Sequence, residues 1–423
     1  MTEAAPASSE LETTPEDEPV AGVGIRPRLT LGLLSVQHAL IHGQAALYPL
    51  VYLAIIDEFG VTAATVVILS TIGGIASGLL QYGFGWLTRY VGRPALLGGG
   101  GLIVGLGTAA QAAASSFGGF AVANVTSRVG GAPQHPVGNA LLAEQFPARR
   151  IGTAIAVHVA GGNVGTVLIG ALAAIGIAAI GWRGSVALLG AGALGVALLI
   201  LLLVRQRSKP ADARAEGSAR GIYRRVLADR DLRWLFTAAV LGGGSRGLGV
   251  LNIFVPLYLD QVVGLDPSTI GAMYAVLLAA SVPGPLVAGW LSDRIGRRPV
   301  IVGVYLAGAL SLATFVLAGD DVARLWIAIV LLSAFSFVES PQLQALLADV
   351  TPPPVRDTAF STYFALAFGV GSFWGIVYGL LVDFGGPGHG LGLVFWVMAA
   401  ASVAAAAATL RIRIPPLGET LAI

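Results

Sequence analysis

Twelve long apolar runs, separated by short polar breaks, decide what this chain can become. They fall near 29–56, 62–87, 95–115, 118–144, 152–180, 184–204, 233–259, 268–291, 299–318, 323–348, 357–383 and 391–411. A helix needs about 20 apolar residues to cross the hydrocarbon core of a bilayer. Runs this long and continuous predict helices rather than the short alternating strands of a barrel. Only 11% of the residues are charged, against about 25% in a soluble domain, which leaves too few charges to clothe a water-facing surface. The expected fold class is an all-α membrane protein. The chain has no cysteine, so disulfides and thiolate metal sites are excluded. Its first residues are polar and acidic (Glu3, Glu10, Glu12, Glu16, Asp17, Glu18). They lack the apolar core of a secretory signal and read as a disordered tail, leaving the first span to direct insertion.

The basic residues orient the spans. Of 25, only Lys209 is a lysine. With the N-terminus in the cytoplasm, 21 of them fall on the cytoplasmic side, including Arg26, Arg28, Arg89, Arg93, Arg149, Arg150, Arg294, Arg297 and Arg298. The opposite loops hold Arg183 and Arg324, and Arg128 and Arg246 lie within spans. This asymmetry places both termini in the cytoplasm of a bacterial inner membrane.

The chain also repeats itself. G-W-L-T-R-Y-V-G-R-P from Gly85 returns as G-W-L-S-D-R-I-G-R-R-P from Gly289, 204 residues on. A-L-L-A-E-Q-F-P, ending at Pro147, returns as A-L-L-A-D-V-T-P, ending at Pro352, 205 residues on. The expected organisation is a tail (1–28), a six-helix bundle (29–204), a cytoplasmic linker (205–232), a second six-helix bundle (233–411) and a short tail (412–423). The linker's charge suits solvation, topology or contact with anionic lipid.

At these residues the chain resembles the major facilitator superfamily, over nearly everything from 29 to 411. That family's loop signature, G-x-L-a-D-r-x-G-r-r, is matched by Gly289, Asp293, Arg294, Gly296 and Arg297. The resemblance implies two bundles flanking a midplane cavity that opens alternately to each side. An aspartate at this point can meet the positive N-terminus of a helix in the other bundle, so Asp293 is expected to latch the cytoplasmic face against the start of span 5. The first copy, with Gly85, Gly92 and Arg93, carries Arg89 in the aspartate position. A cation facing a helix N-terminus is unfavourable, so the first latch is not expected to form.

Arg128, followed by Gly131, resembles the family's span-4 signature, in which a midplane arginine is linked to proton coupling. Gly152, Gly161, Gly165 and Gly170 fall where the antiporter signature of span 5 has glycines, although Thr166 replaces its proline and Ile169 one glycine. Gly371, Gly375 and Gly379 make a comparable ladder in span 11. Read physically, small residues let helices approach closely. The stretches from His38, His135 and His158 look like the fosmidomycin-resistance branch, whose members are drug/proton antiporters.

Ionisable and polar groups inside spans are costly and therefore mark function. His38 and His42 lie one turn apart on one helix face near the midplane, with Arg128 and Arg246. His135, His158 and Glu339 lie toward the cytoplasmic side. Glu339 is the carboxylate set well inside a span, a candidate proton carrier or the partner of a neighbouring arginine. Its repeat equivalent is Gln134. The histidines suit proton relay, substrate hydrogen bonds or helix–helix contacts. His38 and His42 also have metal-ligand spacing, but no third ligand is evident and no metal site is expected. Gln44, Asn163 and Asn252, with Asn139, Tyr48 and Tyr258, are further cavity candidates, and Trp374 and Tyr378 suit an aromatic wall.

No G-K-[ST] or H-E-x-x-H occurs. Gly242–Gly247 matches G-x-G-x-x-G but sits inside a span with no strand before it, which excludes a dinucleotide site. No enzyme, cofactor or nucleic-acid reading has residues behind it. The function expected is a proton-coupled secondary transporter, a monomer driven by the proton gradient, that exports small amphipathic or anionic compounds by antiport. Two other readings remain: a proton-coupled uptake symporter for an organic acid or sugar-like metabolite, and a non-transporting membrane sensor or scaffold with the same fold.

Overall fold

A computed structural model describes residues 24–88, 90–146, 148–206, 219–351 and 356–413. No strand occurs among them. The α-helices of the first half are α1 (Pro27–Phe59), α2 (Ala63–Leu87), α3 (Arg93–Ala112), α4 (Phe117–Gly131), α5 (Gln134–Gln145) and α6 (Ala148–Leu203). A short α7 (Ala219–Ala228) lies in the stretch read as linker. The second half holds α8 (Arg230–Gly242), α9 (Asn252–Tyr258), α10 (Pro267–Ala279), α11 (Pro283–Ile295), α12 (Arg297–Leu317), α13 (Val322–Ser336), α14 (Glu339–Val350), α15 (Arg356–Phe364) and α16 (Trp374–Leu410).

Among the described residues nine stretches are long and apolar enough to cross a bilayer singly, and a bent pair, 230–245 with 247–263, makes a tenth. The stretch 154–203 holds two spans. Ser35, Ala39 and Gly43 of α1 meet Gly161, Gly165 and Ile169 in the same direction, whereas Gly98, Gly101 and Gly105 of α3 meet Leu201, Ala197 and Leu194 in the opposite one. The chain therefore reverses between these segments, at Gly181 (φ 70°). The twelfth span is α4 with α5, broken at Ala132–Pro133.

The internal repeat is written into the backbone. Gly60 (φ 63°) and Gly264 (φ 72°) end the first span of each half, 204 residues apart, and Gly181 and Gly386 (φ 71°) turn its fifth span into its sixth, 205 apart. A left-handed residue costs an L side chain strain that glycine escapes, so these four turns keep the same residue in both copies. Span 4 breaks at 132–133 and span 10 at Phe337–Val338, again 205 apart.

Packing is uneven along the bundle axis. At the arginine-poor end one apolar core runs through both halves, joining Leu47, Val51, Ile55 and Trp182 to Leu257, Tyr274, Leu278 and Phe395. At the arginine-rich end the core divides. Leu34, Leu97, Leu141 and Ile200 form a cluster of the first half alone, and Leu235, Tyr305, Leu346 and Tyr363 one of the second. Val226 of α7 belongs to the latter, so part of the expected linker packs against its bundle.

The expected glycine ladders are sites of close approach. A Cβ on Gly165 would stand 2.1 Å from the Ala39 carbonyl oxygen, and one on Gly375 1.9 Å from Thr71 Oγ1. Gly161 packs on Ser35, Gly170 on Leu278, Gly371 on Gly243 and Gly379 on Ala64. The surroundings of Gly85 and Gly152 lie outside the described residues.

Candidate functional site

The polar centre of the second half is built around a break in its first span. After α8 comes a 3₁₀ turn (Gly243–Ser245), then an extended Arg246 (ψ 133°), then a wide π turn (Gly247–Leu251) containing Gly249 at φ 119°. Irregular backbone at this depth needs partners for its freed carbonyls, and side chains supply them. Arg246 Nη2 donates to the Ala239 carbonyl at 3.3 Å, Trp374 Nε1 to Val240 at 2.8 Å and the Tyr378 hydroxyl to Gly244 at 2.7 Å. The Gly249 amide donates to Asn252 Oδ1 at 2.8 Å. The glycine run that mimics a dinucleotide motif is thereby explained: a Cβ on Gly244 would stand 2.9 Å from the Trp374 ring and the Tyr378 hydroxyl.

Arg246 is also half of a buried ion pair. Its Nε donates to Glu339 Oε1 at 2.8 Å and its Nη1 to the Ala367 carbonyl at 2.8 Å. Its guanidinium carbon lies 4.5 Å from the centre of the Phe368 ring, within cation–π range. The Tyr305 hydroxyl stands 3.2 Å from the Ala238 carbonyl and 3.5 Å from Glu339 Oε2, so its one proton serves one acceptor at a time. A small cavity beside Glu339 is lined by Ser245, Tyr305, Ser336 and Ser402. Glu339 begins α14, just past the break in span 10.

The corresponding region of the first half holds amides and imidazoles. Gln134, which begins α5 just past the matching break, donates to the Leu34 carbonyl at 2.9 Å. His38 Nδ1 donates to the His158 carbonyl at 2.9 Å, and His38 Nε2 meets His42 Nε2 at 3.1 Å. The His38 ring stacks on His158 at 4.5 Å and meets His135 edge-on at 4.8 Å, while His135 stacks on Phe364 of the second half at 6.2 Å. The His38–His42 pair read from the sequence thus joins His135 and His158 in one cluster. Gln44 donates to Thr108 Oγ1 at 2.5 Å and to Ser127 Oγ at 3.2 Å. Asn252 reaches across to the first half, donating to the Ala45 carbonyl at 3.2 Å. Asn163 is half-buried beside Gly162, which packs on His38.

Arg128 differs from Arg246. Its Nη2 donates to Ser70 Oγ at 3.2 Å, and its guanidinium lies 5.8 Å from the Tyr48 ring centre. Its buried Nε has no partner, and it forms no ion pair among the described residues. Its stem packs on Gly73, the neighbour of Gly74, which meets Ser372 of the second half.

At the arginine-rich end the two sequence repeats meet each other. Arg93 of the first loop copy pairs with Glu144 of the first A-L-L-A segment, and Arg297 Nε with Asp349 Oδ2 of the second at 3.2 Å. Arg294 lies over the Trp290 ring at 3.5 Å, and Gly296 takes φ 94° at the end of α11. Arg89 and the side chain of Asp293 lie outside the described residues, and the expected latch with them. At the other end Arg183 Nη1 donates to Glu58 at 2.6 Å, and Arg324 pairs with Asp321 at 3.1 Å. Asp266 caps α10 there, and hydrogen bonds from Ser268 and Thr269 hold its carboxyl well below the usual range.

The sequence profile of the Major Facilitator Superfamily matches residues 34–376 and 247–422. The chain belongs to this superfamily. Among its relatives, the fosmidomycin resistance protein of Escherichia coli (strain K12) is 26% identical over 379 residues, covering 87% of this chain and 91% of the relative. A putative metabolite transport protein of Haemophilus influenzae (strain ATCC 51907 / DSM 11121 / KW20 / Rd) is 25% identical over 321 residues, covering 74% and 77%. The crystal structure of a D-xylose–proton symporter superposes with a TM-score of 0.73 at 16% identity, covering 94% of this chain and all of that one. The protein is thus a multi-pass membrane transporter for a small-molecule substrate, and not an enzyme.

Within this major facilitator, the Glu339–arginine pair was foreseeable from the sequence, but its surroundings were not. Tyr305 and Ala367 hold Glu339 and Arg246, and Phe364 covers His135. A tyrosine or phenylalanine in an apolar span carries no signal of what it touches. The glycines at 242–247 were the available clue that span 7 is not a continuous helix.

Proposed function

We propose that this transporter couples inward proton movement to the export of small anionic or amphipathic compounds, with its arginine-rich end in the cytoplasm of a bacterial inner membrane. The observation that carries the reading is the inequality of its two intramembrane arginines. Arg246 is neutralised by Glu339, whereas Arg128 holds a positive charge beside Tyr48 and Ser70 with no acidic partner among the described residues. A half-buried cation without a counter-ion carries part of the cost of leaving water, and an anionic substrate group offsets that cost. Arg128 is therefore the substrate anchor.

Glu339 is the proton carrier. Taking a proton cancels its charge and releases Arg246, which ties span 7 to span 10 through Glu339 and to span 11 through Ala367. Protonation thus loosens a joint of three spans and couples proton binding to helix rearrangement. Likeness to a resistance protein along most of both chains supports the outward direction. The basic loops support the orientation.

Proteoliposomes test this. With an imposed pH gradient, substrate and protons are expected to move in opposite directions. Glu339→Gln is expected to abolish gradient-driven transport while substrate exchange continues. Inward co-movement of both overturns antiport. Driven transport by Glu339→Gln with an unchanged pH profile removes Glu339 as carrier.

A further inference from the structure

Three imidazoles from two helices of the first half converge on one point. His38 and His42 lie one turn apart on α1, and His135 comes from the first turn of α5. One ring nitrogen of each lies within 4.8 Å of the other two. Two imidazoles bound to one tetrahedral ion at ~2.1 Å place their nitrogens ~3.4 Å apart. The His38 and His42 Nε2 atoms, 3.1 Å apart, already stand near that spacing. The sequence supplied the pair; the fold adds the third member.

Hydrogen bonding alone leaves this cluster unfinished. Because the His158 carbonyl can only accept, His38 Nδ1 carries the proton and its Nε2 presents a lone pair. That arrangement, one ring nitrogen donating to a backbone carbonyl and the other turning its lone pair toward His42 Nε2, is the usual orientation of a metal-bound histidine. His42 Nδ1 and both ring nitrogens of His158 are buried without a partner. Small residues clear space for the rings: a Cβ on Gly162 would stand 2.9 Å from His38 Nε2, and one on Gly138 3.5 Å from His158 Nε2. No carboxylate belongs to the group. A neutral, all-imidazole set favours zinc, cobalt, nickel or copper over calcium or magnesium.

We propose that His38, His42 and His135 form a binding site for a divalent transition-metal ion, with a fourth coordination position open to water or an anion. Phe364, stacked on His135 from the second half, places this site at the seam between the bundles. The proposal does not depend on the roles given above to Arg128 and Glu339.

The test uses the full-length protein, free of any polyhistidine tag, stripped with chelator and equilibrated with Zn²⁺ in detergent. One zinc per chain is expected by elemental analysis, and Co²⁺ in its place is expected to give the visible absorption of a tetrahedral nitrogen-ligated ion. His42→Gln and His135→Asn should each weaken zinc binding by about 100-fold or more, since disturbing even an outer-shell partner costs ~10–100-fold. His389→Ala, exposed and outside the group, should change nothing. Gel filtration and tryptophan fluorescence report whether each variant is folded. Less than stoichiometric zinc on the unaltered protein overturns the site. So does an octahedral, water-like cobalt spectrum, which decides the matter even if the variants do not fold. Undiminished binding by a folded His135→Asn overturns it equally.

Discussion

The two halves share turns, breaks and loop pairs, yet their centres use different chemistry. Gln134 and Glu339 begin matching helices after matching breaks. The first half spends that position on a neutral amide that satisfies a carbonyl of its own first span. The second places a carboxylate there and brings Arg246 to it across an unwound span. A duplicated scaffold fixes where a side chain sits in the membrane. It leaves open whether that side chain is neutral or charged. At this position the first half can lose its amide at little cost, whereas the second depends on both Arg246 and Glu339 being present.

Stability measurements can break that contrast. Arg246→Ala leaves Glu339 buried without its partner and uncaps the Ala239 and Ala367 carbonyls, so a loss of about 3–5 kcal/mol is expected in unfolding experiments in detergent. The double variant Arg246→Met with Glu339→Met should recover much of it. If Arg246→Ala unfolds like the unaltered protein, the pair is not holding the break. Arg128→Ala is expected to act on binding instead. It should weaken substrate by roughly 10–100-fold, the range of one hydrogen bond to a charged group at about 1.5–3 kcal/mol, with thermal stability nearly unchanged; Arg128→Lys should fall between. Equal affinity in a transport competition assay would remove Arg128 from the substrate site. Gln134→Leu should cost only about 1 kcal/mol, and a loss as large as that of Arg246→Ala would erase the distinction between the halves. Smallest of all, Tyr378→Phe frees the Gly244 carbonyl at a cost of about 0.6 kcal/mol, typical of hydrogen bonds between membrane helices; calorimetry should resolve it only as a slight downward shift.

Much of this architecture was legible beforehand because lipid imposes it. Apolar length gave the twelve spans, and two repeats gave the halves. Arg246 and Glu339 were legible as intramembrane charges, and pairing was one of the two roles foreseen for Glu339. The convergence of His38, His42, His135 and His158 was not, because those residues lie on three different spans and helix rotation leaves no trace in hydropathy. The extended Arg246 was hidden for a related reason: the side chains that cap its neighbours, Tyr305, Trp374 and Tyr378, come from spans far along the chain. Trp374 and Tyr378, read as an aromatic wall, turn out to be hydrogen-bond donors to broken backbone.

The fused core at one end and the divided cores at the other give the molecule a resting posture. Parting the halves at the arginine-rich end separates two clusters that are each complete alone. Parting them at the other end means tearing Leu47, Val51 and Ile55 away from Leu257, Tyr274 and Leu278 in one continuous core. The two strokes of a transport cycle therefore differ in the work they demand. An opening on the arginine-rich side leaves both local clusters whole, and an opening on the other side exposes apolar surface that is now shared between the halves.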